Sequence, residues 1–168
     1  IATISLAGLV NTTVALTDAG GNGSIRSATS VDGVSTFYTS ASAGFVRYIG
    51  TPTPSSTSVL IDGRNSRQLI LNGNRLYASN GSTSIAGKVQ EYGLLPVGAT
   101  PATALVTTAL ADAVNGFALF DLNPSVGYGG GGVDTIYALD TVVSQLIKWS
   151  YDGTSWTAVW SNGTTSLS

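Results

Sequence analysis

In a chain of 168 residues, 43% hydrophobic side chains are enough for a core, but 10% charged residues are too few for the wet faces of long helices. Net charge is −2 and the seven basic residues are scattered singly, which excludes the clustered basic stripe that nucleic acid requires. No apolar run reaches the length of a helical membrane span. Without Cys, His or Met, the chain has no disulfide framework, no thiol chemistry and no imidazole base.

In chain order, Ile1 to Leu6 and Thr13 to Thr17 read as one or two isolated strands. From there a single grammar repeats three times. An opening strand (Arg26 to Val31, Arg67 to Leu71, Gly116 to Leu122) leads through Asp32-Gly33, Asn72-Gly73 or the Gly127–Gly132 loop to a strand carrying Tyr38, Tyr77 or Tyr137. Asp-Gly and Asn-Gly favour tight hairpins. A third strand alternates polar and aromatic residues, as in Arg47-Tyr48, Glu91-Tyr92 and Lys148-Trp149. A fourth follows: Thr57 to Ile61, roughly Ala104 to Leu110, and Ser155 to Trp160. The stretch Ala102 to Asn115 is rich in Ala and Leu and fits a helix as well as a strand, because Val106, Thr107 and Thr108 are β-branched.

Four antiparallel strands recurring at this spacing predict an all-β, β-propeller-like fold. The expected organisation is a partial blade over 1–18 and three four-stranded blades over 19–62, 63–112 and 113–168, within one domain. A two-sheet β-sandwich of the same strands is the alternative. Three blades and a fraction do not close a ring, so another copy (a homo-oligomer) or the remainder of a longer chain is expected to cover the open faces. The low charge and the abundance of Gly, Ser and Thr suit a secreted protein, and the absence of an initiating Met is read as a mature secreted segment or, equally, as a chain trimmed at both ends.

The same segments carry a resemblance. Arg26-Ser-Ala-Thr-Ser-Val-Asp-Gly33, the run from Arg67 to Ser79, Val89-Gln-Glu-Tyr-Gly-Leu-Leu-Pro96, Val133 to Asp140, and Leu146-Ile-Lys-Trp149 with Trp156 together resemble about half of a secreted, repeat-built β-propeller protein. The resemblance covers roughly residues 20–160 and implies an extracellular propeller of a kind without an established activity.

Candidate chemistry is sparse. Asp121, Asn123, Asp134 and Asp140 flank the Gly-rich loop and offer oxygen ligands suited to calcium, but lack the spacing of a compact calcium loop, so turn formation is the preferred reading. No cofactor is otherwise called for. The loop itself has neither the Lys nor the following helix of a phosphate cradle. Trp156 and Trp160, four apart on the last strand, are expected to share a face and, with Tyr151, to form a contact surface able to stack on glycans. Tyr48, Tyr92 and Trp149 are expected to pack between blades. Sequons begin at Asn11, Asn22, Asn80 and Asn162. The functional expectation is a non-enzymatic extracellular scaffold for binding or self-assembly. A carbohydrate-binding module and a fragment of a propeller hydrolase are the alternatives.

Overall fold

The computed structural model describes residues 2–12, 16–18, 24–42, 45–51, 53–107, 113–130 and 132–162. Among them are fourteen strands and no helix. β1 (Thr3–Ile4) and β2 (Val10–Asn11) form a small hairpin. The remaining strands make three antiparallel four-stranded sheets in sequence order. Sheet one is β3 (Ile25–Ser30), β4 (Phe37–Ala41), β5 (Phe45–Ile49) and β6 (Val59–Asp62). Sheet two is β7 (Ser66–Asn72), β8 (Arg75–Asn80), β9 (Gly87–Leu94) and β10 (Thr103–Thr107). Sheet three is β11 (Val114–Phe120), β12 (Thr135–Asp140), β13 (Gln145–Tyr151) and β14 (Trp156–Ser161).

The first strands lie side by side, β3 against β7 and β7 against β11. That is the fan of a propeller and not the stacking of a sandwich. The ambiguous stretch after Ala102 resolves as strand β10, and residues 108–112 of it lie outside the described residues. At the N-terminus the partner of the first strand is Val10–Asn11. Of the expected strand at Thr13 to Thr17, residues 13–15 lie outside the described residues, and Leu16 bridges to Ser56.

Sequence chemistry explains the turns. Gly73 and Asn74 both have positive φ (55° and 61°) between the paired residues Asn72 and Arg75, the geometry of a two-residue primed hairpin. Asp32 closes the first hairpin by accepting hydrogen bonds from the backbone N–H groups of Val34 and Ser35 at 2.9 and 2.8 Å. Those bonds, with that of the Ser35 hydroxyl first among them, hold its carboxyl well below the usual carboxylate range.

Two apolar layers fill the spaces between sheets. Tyr38 and Val46 of sheet one pack with Leu69, Leu76, Ala78 and Tyr92 of sheet two. Tyr77 and Val89 of sheet two pack with Phe117, Ile136 and Ala138 of sheet three, with Trp149 against them. Each fully buried aliphatic or aromatic side chain is worth about 1.5–3 kcal/mol of transfer free energy. Tyr48 borders the first layer, its ring centroid 5.7 Å from that of Tyr38.

Candidate functional site at the mouth of the first strands

The three first strands share a local irregularity. Each carries one extra residue near its start: β3 between Ile25 and Ser27, β7 between Ser66 and Leu69, β11 between Val114 and Gly116. Just before it, the carbonyls of Ser24, Asn65 and Ala113 accept equivalent hydrogen bonds from the N–H groups of Ser42, Gly81 and Thr141. Register therefore makes Arg26, Arg67 and Asn115 counterparts. A bulge turns its extra side chain out of the regular alternation, and these three side chains meet. Together with Ser24 and Ile25 they line one open cavity of about 430 Å³.

The next residue in each strand ties the sheets together. The Ser27 hydroxyl accepts a hydrogen bond from Leu69 N–H at 3.1 Å, and Gln68 Oε1 accepts one from Phe117 N–H at 2.8 Å. Gly116 holds the third such position. Gly81 makes room for Arg67, because a Cβ there would lie 3.0 Å from Arg67 Cγ.

The electrostatics of this cavity are unusual. Among the described residues, ion pairs fall on Arg47, Arg64 and Arg75, and none on Arg26 or Arg67. Both Nε atoms are buried without a hydrogen-bond partner there, as is Asn115 Oδ1. Asn115 Nδ2 donates to Thr141 Oγ1 at 2.9 Å, which fixes the amide with its oxygen free. Burial and then the charge of Arg26 hold the Arg67 guanidinium below its ordinary value. Two guanidiniums without a counter-charge are what an anion would relieve.

The sequence-predicted residues lie elsewhere. Tyr151 and Trp156 come together, ring centroids 5.3 Å apart, and both pack against Tyr128 at 5.4 and 6.0 Å. Trp160 does not join them. Register slips between Lys148 and Trp149, so that Trp156 and Ala158 face sheet two while Trp160, paired with Lys148, points to the opposite face. The single bulged residue, Val159, breaks the expected shared face.

The acidic residues are likewise dispersed. Asp134 Oδ2 accepts from Leu122 N–H at 2.9 Å and from Asn123 N–H, and its Oδ1 accepts from Thr135 Oγ1. Asp140 Oδ1 accepts from Val142 N–H at 2.9 Å. Asp121 lies against Gly132. No group of three or more ligating side chains occurs among the described residues. A second cavity, about 340 Å³ beside Asp62, Arg64 and Thr100, has its carboxylate already engaged, by Tyr92 at 2.8 Å and Arg64 at 3.4 Å. Asn80, one of the sequon residues, is fully buried and donates to Gly87 O at 3.1 Å, which closes it to glycosylation in the folded chain.

Sequence reasoning passed over Arg26 and Arg67, although both open equivalent strands. The signal was their shared place in the repeat, and counting basic residues along the chain does not reveal it.

Neither a family model nor a curated protein sequence matches this chain. Among solved structures, it shares its fold with a putative 6-phosphogluconolactonase from Bacteroides uniformis ATCC 8492. The TM-score is 0.57 at 15% sequence identity, over 99% of this chain and 51% of the other. This chain is β-propeller-like. It spans about half the length of that neighbour.

The expectation of a non-enzymatic scaffold is corrected at this point. The solved structure that shares the fold is described as an enzyme, so the architecture no longer argues for a passive role.

Proposed function

We propose that the chain is the substrate-holding part of a secreted propeller hydrolase acting on esters or lactones that carry a negative charge. The observation that carries this reading is the pairing of Arg26 and Arg67 in one cavity without a counter-charge among the described residues. Asn115, with an unpartnered Oδ1, adds an acceptor for a substrate hydroxyl. The neighbour's description as a lactonase and the low charge of the chain lend support to hydrolysis and secretion respectively.

In such a reaction water adds to the carbonyl carbon, the C–O bond to the leaving oxygen breaks, and the proton of water ends on that oxygen. Fixed guanidiniums stabilise the negative charge developing on the carbonyl oxygen and hold the anionic end of the substrate. Among the described residues the cavity lining contains no carboxylate, and the reading assigns the base to loops of the blades that complete the ring.

The test is hydrolysis of paired esters differing only in a carboxylate or phosphate substituent. Faster turnover of the charged ester, lost by about 100-fold or more in Arg67→Ala, is expected. Measured on the complete ring that supplies the base, equal rates for charged and neutral esters, or no turnover of either, would overturn the proposal.

A further inference from the structure

We infer that the free face of sheet three docks onto the N-terminal hairpin of a second copy of this chain, closing a ring of two copies. The inference stands independently of the hydrolase reading.

Structural equivalence identifies the face. Tyr38, Tyr77 and Tyr137 occupy the same position of successive sheets, opposite Thr29, Ile70 and Ala118 in their first strands. Tyr38 and Tyr77 are fully buried, each covered by the next sheet along the chain. Tyr137 lies on the corresponding face of sheet three, where no further sheet follows among the described residues. Around it, Phe120, Leu139 and Trp160 are 43%, 45% and 46% exposed. Phe120 and Tyr137 meet edge to face at 5.7 Å. Register puts all four on one side: Phe120 sits two residues from Ala118, Leu139 two from Tyr137, and Trp160 pairs with Lys148, itself opposite Tyr137. The bulge at Val159 that separates Trp160 from Trp156 thus supplies an aromatic to this surface.

The other end of the fan presents the complementary surface. Ala2, Thr3 and Ile4 lie across Ala28, Thr29, Ser30 and Phe37 of sheet one, with a shallow cavity of about 250 Å³ between them. Phe37, Thr39 and Ala41 are buried on that side. The hairpin in turn leaves Leu6, Leu9 and Val10 largely in water. Two apolar surfaces, one at each end of a three-sheet fan, form a heterologous contact, which closes when the rotation per copy is half a turn.

Length favours two copies. The chain covers 51% of a neighbour of the same fold, so two copies supply that neighbour's span. Three sheets from each give a ring within the usual range of ~4–8 blades. Because Gly116 stands where Ser27 and Gln68 accept hydrogen bonds from the following sheet, the new interface relies on apolar contact instead.

The test is native mass by light scattering on the chain and on Leu139→Arg and Leu9→Arg, both changes on exposed positions that should leave the circular dichroism of the folded chain intact. We expect the wild type at twice 17.0 kDa. Each variant should fall to a single chain, and their equimolar mixture should recover a two-chain particle through the one interface that remains. A wild-type monomer at ~100 μM would overturn the inference, the range in which even weak association registers. So would open-ended polymers, or a pair broken by Leu139→Arg but not by Leu9→Arg, which would mean that sheet three meets its own copy.

Discussion

Arg26 and Arg67 occupy the same position of adjacent sheets and share one cavity, with neither guanidinium paired to a carboxylate among the described residues. Most proteins place a counter-charge beside a half-buried arginine. Here, on the reading proposed above, an anion takes that place.

Removing one of the two charges should therefore stabilise the unliganded protein while abolishing its response to anions. Arg26→Ala is expected to raise the thermal midpoint in anion-poor buffer. Citrate at 100 times its dissociation constant should stabilise the wild type by about 2.7 kcal/mol and the variant hardly at all. Thermal unfolding with and without citrate checks both halves.

Gly81→Ala probes the same cavity indirectly. Its added methyl would press on the Arg67 side chain, which is flexible enough to move, so the fold should persist while citrate affinity drops several-fold. Calorimetric titration measures the loss. Unchanged affinity would mean that Arg67 need not hold this position.

Two buried tyrosines should respond oppositely to losing their hydroxyl. Tyr38 OH has no hydrogen-bond partner among the described residues, whereas Tyr92 OH donates to Asp62 at 2.8 Å. Tyr38→Phe is expected to be neutral or slightly stabilising, and Tyr92→Phe to cost about 2 kcal/mol, since a bond to a charged acceptor is lost. Urea unfolding of the two variants decides it.

Glu91→Gln should be costly. Glu91 is buried, holds Arg75 at 3.0 Å and accepts a hydrogen bond from Gly93 N–H. Glutamine keeps the second bond but leaves the Arg75 charge uncompensated, a loss of about 3 kcal/mol in the same unfolding measurement.

High pH should unfold the chain in a defined window. Burial, and secondarily Tyr48, pushes Tyr38 up to about 12, while burial and the Glu91 charge do the same for Tyr77. Both groups are more easily deprotonated in the unfolded chain, which binds fewer protons above the ordinary tyrosine range. Stability is then fully present below about pH 10 and falls as pH rises towards 12. Tyrosinate absorbance should appear together with loss of the β signal. Ionisation well before unfolding would contradict the burial.

Much of this architecture was legible because turn chemistry and the recurring Tyr38, Tyr77 and Tyr137 mark strand order directly. Asp32-Gly33 and Asn72-Gly73 announced hairpins that the fold contains, and the expected first strands began within two residues of the observed ones. The site was not legible, for a physical reason. Its geometry depends on one extra residue per first strand, and an insertion of that kind leaves no periodic trace in six or seven residues. The same blindness misplaced Trp160, whose face is decided by Val159 and not by a spacing of four.

The repeated extra residue has a consequence for how such a protein can change. The extra positions 26, 67 and 115 line the mouth of the fan, while Val114 before one of them and Leu69 and Phe117 after two of them sit in the apolar layers. The extra residues stand outside the regular alternation, so positions 26, 67 and 115 can be exchanged without any interior side chain having to follow. On the proposed reading, what the mouth accepts can therefore change by substitution at these positions while the interior stays intact.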